Sequence, residues 1–236
     1  MRQRRIDVAV SAGDIAPDFT LPALSRHDSE HRLSDYRGKI VVLAFWSPAC
    51  STCRRYTSYF EGLAEVYRSR GVEFLAIASQ FWDTRERINA IFHRRPPRFP
   101  ILLDSQGMVA RRFGVEVIPT VYLLDRQGVV QYWGAIDDWD PVEKTTDINY
   151  LQEALDALLL GQELPFSYIP PTGREIALAP AAEEPVLPVA HPVPAARPVG
   201  LPVESGAAAS QSGNGSDRQP APVEVGRVDE LQPATL

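Results

Sequence analysis

The chain has 236 residues, of which 44% are hydrophobic and 23% charged, a composition typical of globular proteins. Its net charge of −6 argues against nucleic-acid binding, and no apolar run is long enough to span a membrane. The basic N-terminus is interrupted by Asp7 and lacks the apolar stretch of a signal peptide. We therefore leave the compartment open: cytoplasmic as the sequence is written, or the bacterial cell envelope if the N-terminus is incomplete.

Apolar patterning and capping residues predict alternating strands and helices. In chain order we predict a strand at 18–21, a turn at 33–38, a fully buried strand at 40–46, a helix at 51–70, a strand at 72–78, a helix at 83–94, an extended segment at 99–103, a short helix at 107–113, strands at 120–124 and 129–133, and a helix at 147–160. Asp83 is expected to be the N-cap of its helix. This order predicts an α/β fold, a mixed central sheet with helices on both faces.

The C-terminal part of the chain differs in composition from the rest. Residues 180–236 contain ten of the 21 prolines and no aromatic residue. Such a segment cannot bury enough apolar surface to offset the entropy lost on ordering it. We predict a flexible N-terminus at 1–13, one domain at 14–178, and a disordered Pro/Ala-rich tail at 179–236. The tail is either a passive extension or a ligand for a partner.

The only two cysteines, Cys50 and Cys53, directly follow the predicted strand at 40–46 and begin the next helix. A helix N-terminus carries partial positive charge and unpaired N–H groups, which favour a thiolate over a thiol. The second sulfur lies one turn further along and can close a small ring. The C-x-x-C spacing therefore predicts dithiol–disulfide exchange, with a redox-active Cys50–Cys53 disulfide and no other cofactor.

The cysteine pair is also compatible with a purely structural role or with metal binding. Free cysteine is often a small buried hydrophobic residue. A structural zinc site usually has four Cys or His ligands, whereas this sequence offers one Cys pair with His27 and His31 in a polar, loop-like stretch. We favour redox exchange over both of these roles and predict no metal site.

Four strings of residues carry a family resemblance: APDFTL at 16–21, GKIVVLAFW at 38–46, GVEVIPT at 114–120 and LLDRQG at 123–128. Together they resemble thioredoxin-like redoxins of the AhpC/TSA and TlpA-like type. The resemblance covers about 14–178 and implies a thioredoxin-like fold. It also implies a thiol-disulfide oxidoreductase acting on protein dithiols or disulfides, with an upstream reductant or oxidant. We expect the protein to be a monomer.

The resemblance also implies roles for particular side chains. Cys50 is expected to be the attacking and more exposed sulfur, supported by Arg54 and Arg55, and Cys53 to be the buried resolving sulfur. In the family, the proline of the GVEVIPT string is cis and faces the dithiol. The residues expected to form the substrate groove are Pro119, Ile118 and Trp46, although an aromatic residue such as Trp46 also suits the core.

Residues 133–138 and 150–159 are similar to a bacterial redoxin subfamily whose members often continue to a G-C-x-I string. Arg174 stands here where that third cysteine would be, so chemistry that needs it is absent. Ala44 stands where thioredoxins usually carry a buried Asp, and Ala49 stands where Trp commonly precedes the first cysteine. Glu116 or water is then left to transfer protons.

The alternative enzyme class is a peroxide reductase. Peroxiredoxins need a P-x-x-x-[TS]-x-x-C string, and counting back from Cys50, Ser47 fits while Leu43 replaces the proline. Counting back from Cys53 also breaks the string. A third class, a non-catalytic redox-responsive interaction module, would show stoichiometric oxidation without turnover. Ser51 and Thr52 between the cysteines do not determine the direction of electron flow.

Overall fold

The computed structural model describes residues 10–24, 29–140 and 142–180. Its strands are β1 (Thr20–Pro22), β2 (Glu30–Arg32), β3 (Ile40–Phe45), β4 (Val72–Ala78), β5 (Ile101–Leu103), β6 (Val117–Ile118), β7 (Thr120–Leu124), β8 (Val130–Gly134), β9 (Tyr168–Ile169) and β10 (Arg174–Glu175). Its helices are α1 (Ser51–Arg54), α2 (Thr57–Arg68), α3 (Arg85–Phe92), α4 (Met108–Phe113) and α5 (Tyr150–Leu160), with a 3-10 helix at Leu33–Tyr36. The predicted N-terminus before residue 10 and the predicted tail after residue 180 lie outside the described residues.

Six strands form a mixed central sheet in the order β5-β4-β3-β7-β8-β9. β3 pairs in parallel with β4 and antiparallel with β7, which also pairs antiparallel with β8. All six residues of β3 are buried. The unbroken apolar run in the sequence had predicted this burial, because it is typical of a strand covered on both faces. The predicted α/β class, a mixed sheet with helices on both faces, is therefore confirmed.

The sheet brings three distant loops to one edge. The carboxyl ends of the parallel strands β3 and β4 lie side by side, with Phe45 paired to Ile77. The amino end of β7 lies at the same edge, because Thr120 pairs with Phe45. The cysteine segment after β3, the loop after β4 and the loop before β7 consequently meet there.

The predicted helix at 51–70 is divided into α1 and α2. The carbonyl of Cys53 accepts a hydrogen bond from the Tyr56 N–H at 3.0 Å, three residues along, and another from Trp46 Nε1 at 2.8 Å. A bond to the residue three positions along tightens the turn and interrupts the α-helical ladder. The indole of Trp46 therefore contributes to ending α1 after a single turn.

The prediction that Asp83 caps α3 is wrong. Thr84 is the N-cap, with extended backbone angles (φ −79°, ψ 157°) and a side chain that accepts from the Arg87 N–H. Asp83 stands one residue earlier, at the end of the loop after β4, and is buried with 2% of its surface exposed. The carboxylate of Asp83 therefore does not cap α3 and is available for a different hydrogen bond.

The segment after α5 folds back onto the sheet edge in two short strands that the sequence patterning did not predict. β9 pairs in parallel with β8, and β10 pairs antiparallel with β6. Each strand of this segment has two residues, too few for an alternation of apolar and polar side chains to be recognised. In the described part of the chain, no helix is long and apolar enough to cross a membrane.

Candidate active site

The two cysteines lie at the start of α1, at the edge of the sheet where the three loops meet. Cys50 is the N-cap residue, with extended backbone angles (φ −84°, ψ 124°), and its carbonyl accepts from the Arg54 N–H at 3.0 Å. Both thiols are free. Cys50 is 6% exposed and Cys53 is fully buried, so Cys50 is the more accessible sulfur of a largely enclosed pair.

The surroundings shift the pKa values of the two thiols in opposite directions. The pKa of Cys50 is lowered, mainly because the Cys53 thiol donates a hydrogen bond to its sulfur, with further donation from the Cys53 and Thr52 backbone N–H groups. The pKa of Cys53 is raised, because its thiol is held by the bond to Cys50 and is buried. The arrangement therefore favours a thiolate at Cys50 and a thiol at Cys53.

The cation that favours the Cys50 thiolate is Arg174 of β10. The resemblance had implied Arg54 and Arg55 in this role. Arg55 instead lies 3.8 Å from the ring centroid of Trp139 and 3.5 Å from the Asp137 carboxylate. The residue that replaces the third cysteine of the related subfamily is thus a positively charged neighbour of Cys50.

The predicted substrate-groove residues Ile118 and Pro119 lie beneath the C-terminal segment. The Ile118–Pro119 peptide bond is cis, as the resemblance implied. Ile118 is paired with Arg174 and is 1% exposed. A Cβ at Gly173 would lie 2.1 Å from the Ile118 carbonyl oxygen and 3.2 Å from Pro119 Cδ, so only glycine permits this approach. Residues 173–176 therefore form the outer surface at this place.

The third predicted groove residue, Trp46, lies in the core and not on a surface. It is 1% exposed, stacks on Phe92 with ring centroids 6.0 Å apart, and meets the edge of Phe99 at 6.1 Å. Its Nε1 donates to the Cys53 carbonyl, so it contacts the dithiol segment from the interior. Trp46 supports the backbone of the site and does not line a groove.

Asp83 is the residue near the dithiol that sequence reasoning assigned to another role. The Ser47 hydroxyl donates to Asp83 Oδ1 at 2.8 Å, and both side chains are buried. Burial raises the pKa of Asp83 to about 6, and the charge of Cys50 adds to the increase. The available signal was positional, since polar residues that follow two neighbouring parallel strands meet at one edge of the sheet.

Two further positions considered in the sequence, Ala44 and Glu116, differ in burial. Ala44 is fully buried in β3, so the carboxylate that thioredoxins usually carry there has no counterpart at that position. Glu116 is exposed, and its backbone carbonyl accepts from the Ile176 N–H at 2.8 Å. Within the described ranges, no three His, Cys, Asp or Glu side chains group as a metal site requires, and His27 lies outside those ranges.

Comparison with known proteins places this geometry in a family. The AhpC/TSA family matches residues 12–133. The thiol-disulfide oxidoreductase ResA of Geobacillus kaustophilus is 40% identical over 123 residues, which cover 52% of this chain and 68% of the relative. The thioredoxin-like protein YneN of Bacillus subtilis is 33% identical over 125 residues, which cover 53% of this chain and 72% of the relative.

Two solved structures extend the similarity beyond the family match. A hypothetical protein from Sinorhizobium meliloti has a TM-score of 0.65 at 26% identity, covering 73% of this chain and 97% of its own. A conserved, uncharacterized protein from Geobacillus kaustophilus has a TM-score of 0.65 at 28% identity, covering 72% and 94%. With a C-x-x-C pair at the end of β3, a cis-proline before β7 and a family match over more than half its length, the chain belongs to the thioredoxin-like AhpC/TSA family.

Proposed function

We propose that this protein exchanges disulfides with protein substrates through Cys50 and Cys53. The chain is a thiol-disulfide oxidoreductase, and similar proteins carry that name. The observation that carries the assignment of these two residues is their placement at the start of α1, with Cys50 as the N-cap residue and the fully buried Cys53 three residues along, where the pKa of Cys50 is lowered and that of Cys53 is raised. This placement joins a sulfur suited to attack with a neighbour that can close the ring.

In the reducing direction, the Cys50 thiolate attacks one sulfur of a substrate disulfide, and the other substrate sulfur leaves as a thiolate. Cys53 then loses its proton and attacks Cys50 Sγ, which releases the second substrate sulfur and forms the Cys50–Cys53 disulfide. Two electrons pass from the enzyme dithiol to the substrate. An upstream dithiol regenerates the enzyme, and the reverse sequence oxidises a substrate. The dithiol itself is the redox group, and no cofactor is needed.

The substrate is expected to meet the enzyme at the surface that covers Ile118 and Pro119. Gly173 and Arg174 are exposed there, and Arg174 is also the cation near Cys50. A protein substrate would therefore contact residues 173–176 first, with Ile118 and Pro119 shaping the groove from beneath. A monomer suffices for this arrangement, because the described chain itself supplies both cysteines and their charged neighbours.

Reaction with a small aromatic disulfide tests the proposal. We expect wild-type protein to form an intramolecular disulfide, Cys53→Ser to accumulate a stable mixed disulfide at Cys50, and Cys50→Ser to lose exchange. Mass spectrometry of the quenched products identifies each species. Two unreacted thiols in the wild-type protein would contradict the proposed function. Turnover of hydrogen peroxide without disulfide exchange would support a peroxide reductase instead.

A further inference from the structure

We propose that Asp83, held by Ser47, accepts the proton that Cys53 loses when it attacks the mixed disulfide. The inference rests on the proposed function, since it concerns the resolving step of the same dithiol. Asp83 lies in the loop after β4, and Ser47 follows β3, so the sheet brings together residues that are 36 positions apart. Ala44 holds the position in β3 where thioredoxins usually carry a buried Asp.

Ser47 contacts both groups. Its hydroxyl donates to Asp83 Oδ1 at 2.8 Å, and its backbone lies close enough to the Cys53 thiol to act against the increase in the pKa of that thiol. Among the described residues, none donates a hydrogen bond to Asp83 Oδ2, although this oxygen is buried. A buried carboxylate oxygen without a partner lowers stability, and such groups are commonly retained where they act in chemistry.

Cys53 needs a nearby proton acceptor because it is fully buried. In the reduced enzyme its thiol donates to the Cys50 sulfur. Once Cys50 is part of a mixed disulfide, that sulfur carries no negative charge and is a poor acceptor. Asp83 is the carboxylate whose charge opposes ionisation of Cys53, and its buried Oδ2 has no hydrogen-bond partner among the described residues, so it is available to take the proton.

The charges around Asp83 determine at which step its carboxylate is ionised and can accept a proton. The titratable and charged groups that face it are Cys50 and Cys53 from the dithiol segment and Arg87 from α3. Burial, with the Cys50 thiolate, keeps the pKa of Asp83 near 6 in the reduced enzyme. Loss of the Cys50 charge in the mixed disulfide favours the ionised carboxylate, so Asp83 becomes able to accept a proton at the step that requires one.

The proton passes from Cys53 Sγ to the Asp83 carboxylate, and the Cys53 sulfur forms a bond with Cys50 Sγ. The bond between Cys50 and the substrate sulfur breaks, and the substrate leaves as a thiolate that receives the proton from Asp83 or from water. The enzyme dithiol is oxidised, and the substrate disulfide is reduced.

A capping role would not explain this placement, because Thr84 caps α3. Asp83→Asn keeps an oxygen that accepts from Ser47 and removes the ability to hold the proton. In a rapid-mixing experiment, substoichiometric 5,5′-dithiobis(2-nitrobenzoate) releases one thiolate when Cys50 attacks and a second when Cys53 resolves. The leaving thiolate needs no proton at neutral pH, so the second phase reports the ionisation and attack of Cys53.

We expect Asp83→Asn to slow the second phase at least about tenfold and to change the first phase less than about threefold. The wild-type rate of the second phase should show an inflection at or below about pH 6, which the variant lacks. Thr84→Ala is the matched control, with both phases unchanged. If Asp83→Asn does not fold, Ser47→Ala gives an independent test, because loss of the Ser47 hydroxyl should move the inflection to higher pH.

An unchanged second phase and an unchanged inflection in Asp83→Asn would overturn the inference. Equal slowing of both phases would also overturn it, since a general disturbance of the site would produce that result. Absence of the first phase in wild-type protein would instead reject the proposed function, because Cys50 would then not attack disulfides.

Discussion

The two sides of the dithiol differ in charge and in the parts of the chain that form them. On the Cys50 side, the Cys53 thiol, backbone N–H groups of α1 and the Arg174 guanidinium favour a negative sulfur. On the Cys53 side, the bond to Cys50, burial and the Asp83 carboxylate favour a protonated sulfur. Two thiols only three residues apart favour different protonation states mainly because of the hydrogen bond between them and the deeper burial of Cys53, and the opposite charges of Arg174 and Asp83 add to the difference.

The sources of these charges lie far from the cysteines in sequence. Arg174 arrives on β10, after the last helix, and is placed by the pairing of β10 with β6. Asp83 arrives on the loop after β4, and is placed by the parallel pairing of β3 with β4. The comparison can therefore be tested on each side separately, through variants that leave both cysteines in place.

The largest expected effect is on the Cys53 side, where Asp83→Asn should stabilise the fold at pH 8. The pKa of Asp83 is raised from 3.8 to about 6 in the folded chain, which corresponds to about 3 kcal/mol. Because the folded state binds this proton more tightly, stability due to Asp83 is lost as the pH rises through about 4 to 6. Urea unfolding of the reduced proteins should show a gain of up to about 3 kcal/mol at pH 8 and little difference below pH 4.

Asp104→Asn is a matched control for that prediction. Asp104 is equally buried, at 2% exposed, but its two carboxylate oxygens accept from the Val109 and Ala110 N–H groups of α4. Asparagine can replace only one of these acceptors, so we expect this variant to lose about 1–3 kcal/mol at pH 8. A loss of stability at pH 8 in Asp83→Asn as well would contradict the interpretation that burial of a carboxylate with one unpartnered oxygen, Oδ2, destabilises the fold on the Cys53 side.

On the Cys50 side, Gly173→Ala should separate β10 from β6. The added Cβ would lie 2.1 Å from the backbone oxygen of Ile118, which cannot move aside as a flexible side chain can. We expect a loss of about 1–3 kcal/mol in the free energy of unfolding, typical of overpacking. Because Arg174 moves with β10, the pKa of Cys50 should rise, and iodoacetamide alkylation measured against pH reports this change.

Gly62→Ala in α2 is the control for the glycine substitution. An added Cβ at Gly62 meets no atom within 4 Å, and alanine favours a helix over glycine by about 1 kcal/mol. This variant should therefore be as stable as wild type or more stable, with an unchanged alkylation profile. An unchanged profile in Gly173→Ala, together with normal stability, would show that β10 does not support Cys50.

A smaller effect is expected for Arg174→Gln, which removes the cation and keeps the strand. The pKa of Cys50 should rise by about one unit or less, since Arg174 is exposed and water screens its charge. Arg55→Gln should leave the alkylation profile unchanged, because Arg55 is engaged with Asp137 and Trp139. A larger shift in Arg55→Gln than in Arg174→Gln would reverse the assignment of the cation.

The smallest effect is expected from deletion of residues 181–236. The described contacts of the C-terminal segment include a hydrogen bond from Arg111 to the Ala179 carbonyl and packing of Leu178 against the core. We propose that the folded domain ends near residue 178 and that the tail is not needed for exchange. Thermal unfolding and the exchange rate with a small disulfide should both stay within error of the full chain, and lost exchange would extend the domain into the tail.

Local patterns account for the parts of the fold that were predicted well. β4 and β7 have the predicted bounds, because each is a mainly apolar run rich in β-branched and aromatic residues and followed by polar residues. The end of α5 at Gly161 was also predicted, since that glycine adopts the left-handed conformation (φ 67°) that closes helices. Local sequence patterns also predicted that Cys50 lies at a helix N-terminus, where the backbone N–H groups of Thr52 and Cys53 favour its thiolate.

Tertiary contacts determined the features that local patterns did not predict, above all the positions of Asp83 and Arg174. Asp83 is a residue type that commonly caps helices and stands one residue before the N-cap, and only the neighbouring ends of β3 and β4 bring its carboxylate to Ser47. Arg174 belongs to a strand of two residues, whose place depends on β6 and not on any pattern of its own. The sequence by itself determined the dithiol and the fold class, because spacing and periodicity are local properties. The charges of Arg174 and Asp83, which add to the difference between Cys50 and Cys53, depend on contacts between strands, whose order no local pattern encodes.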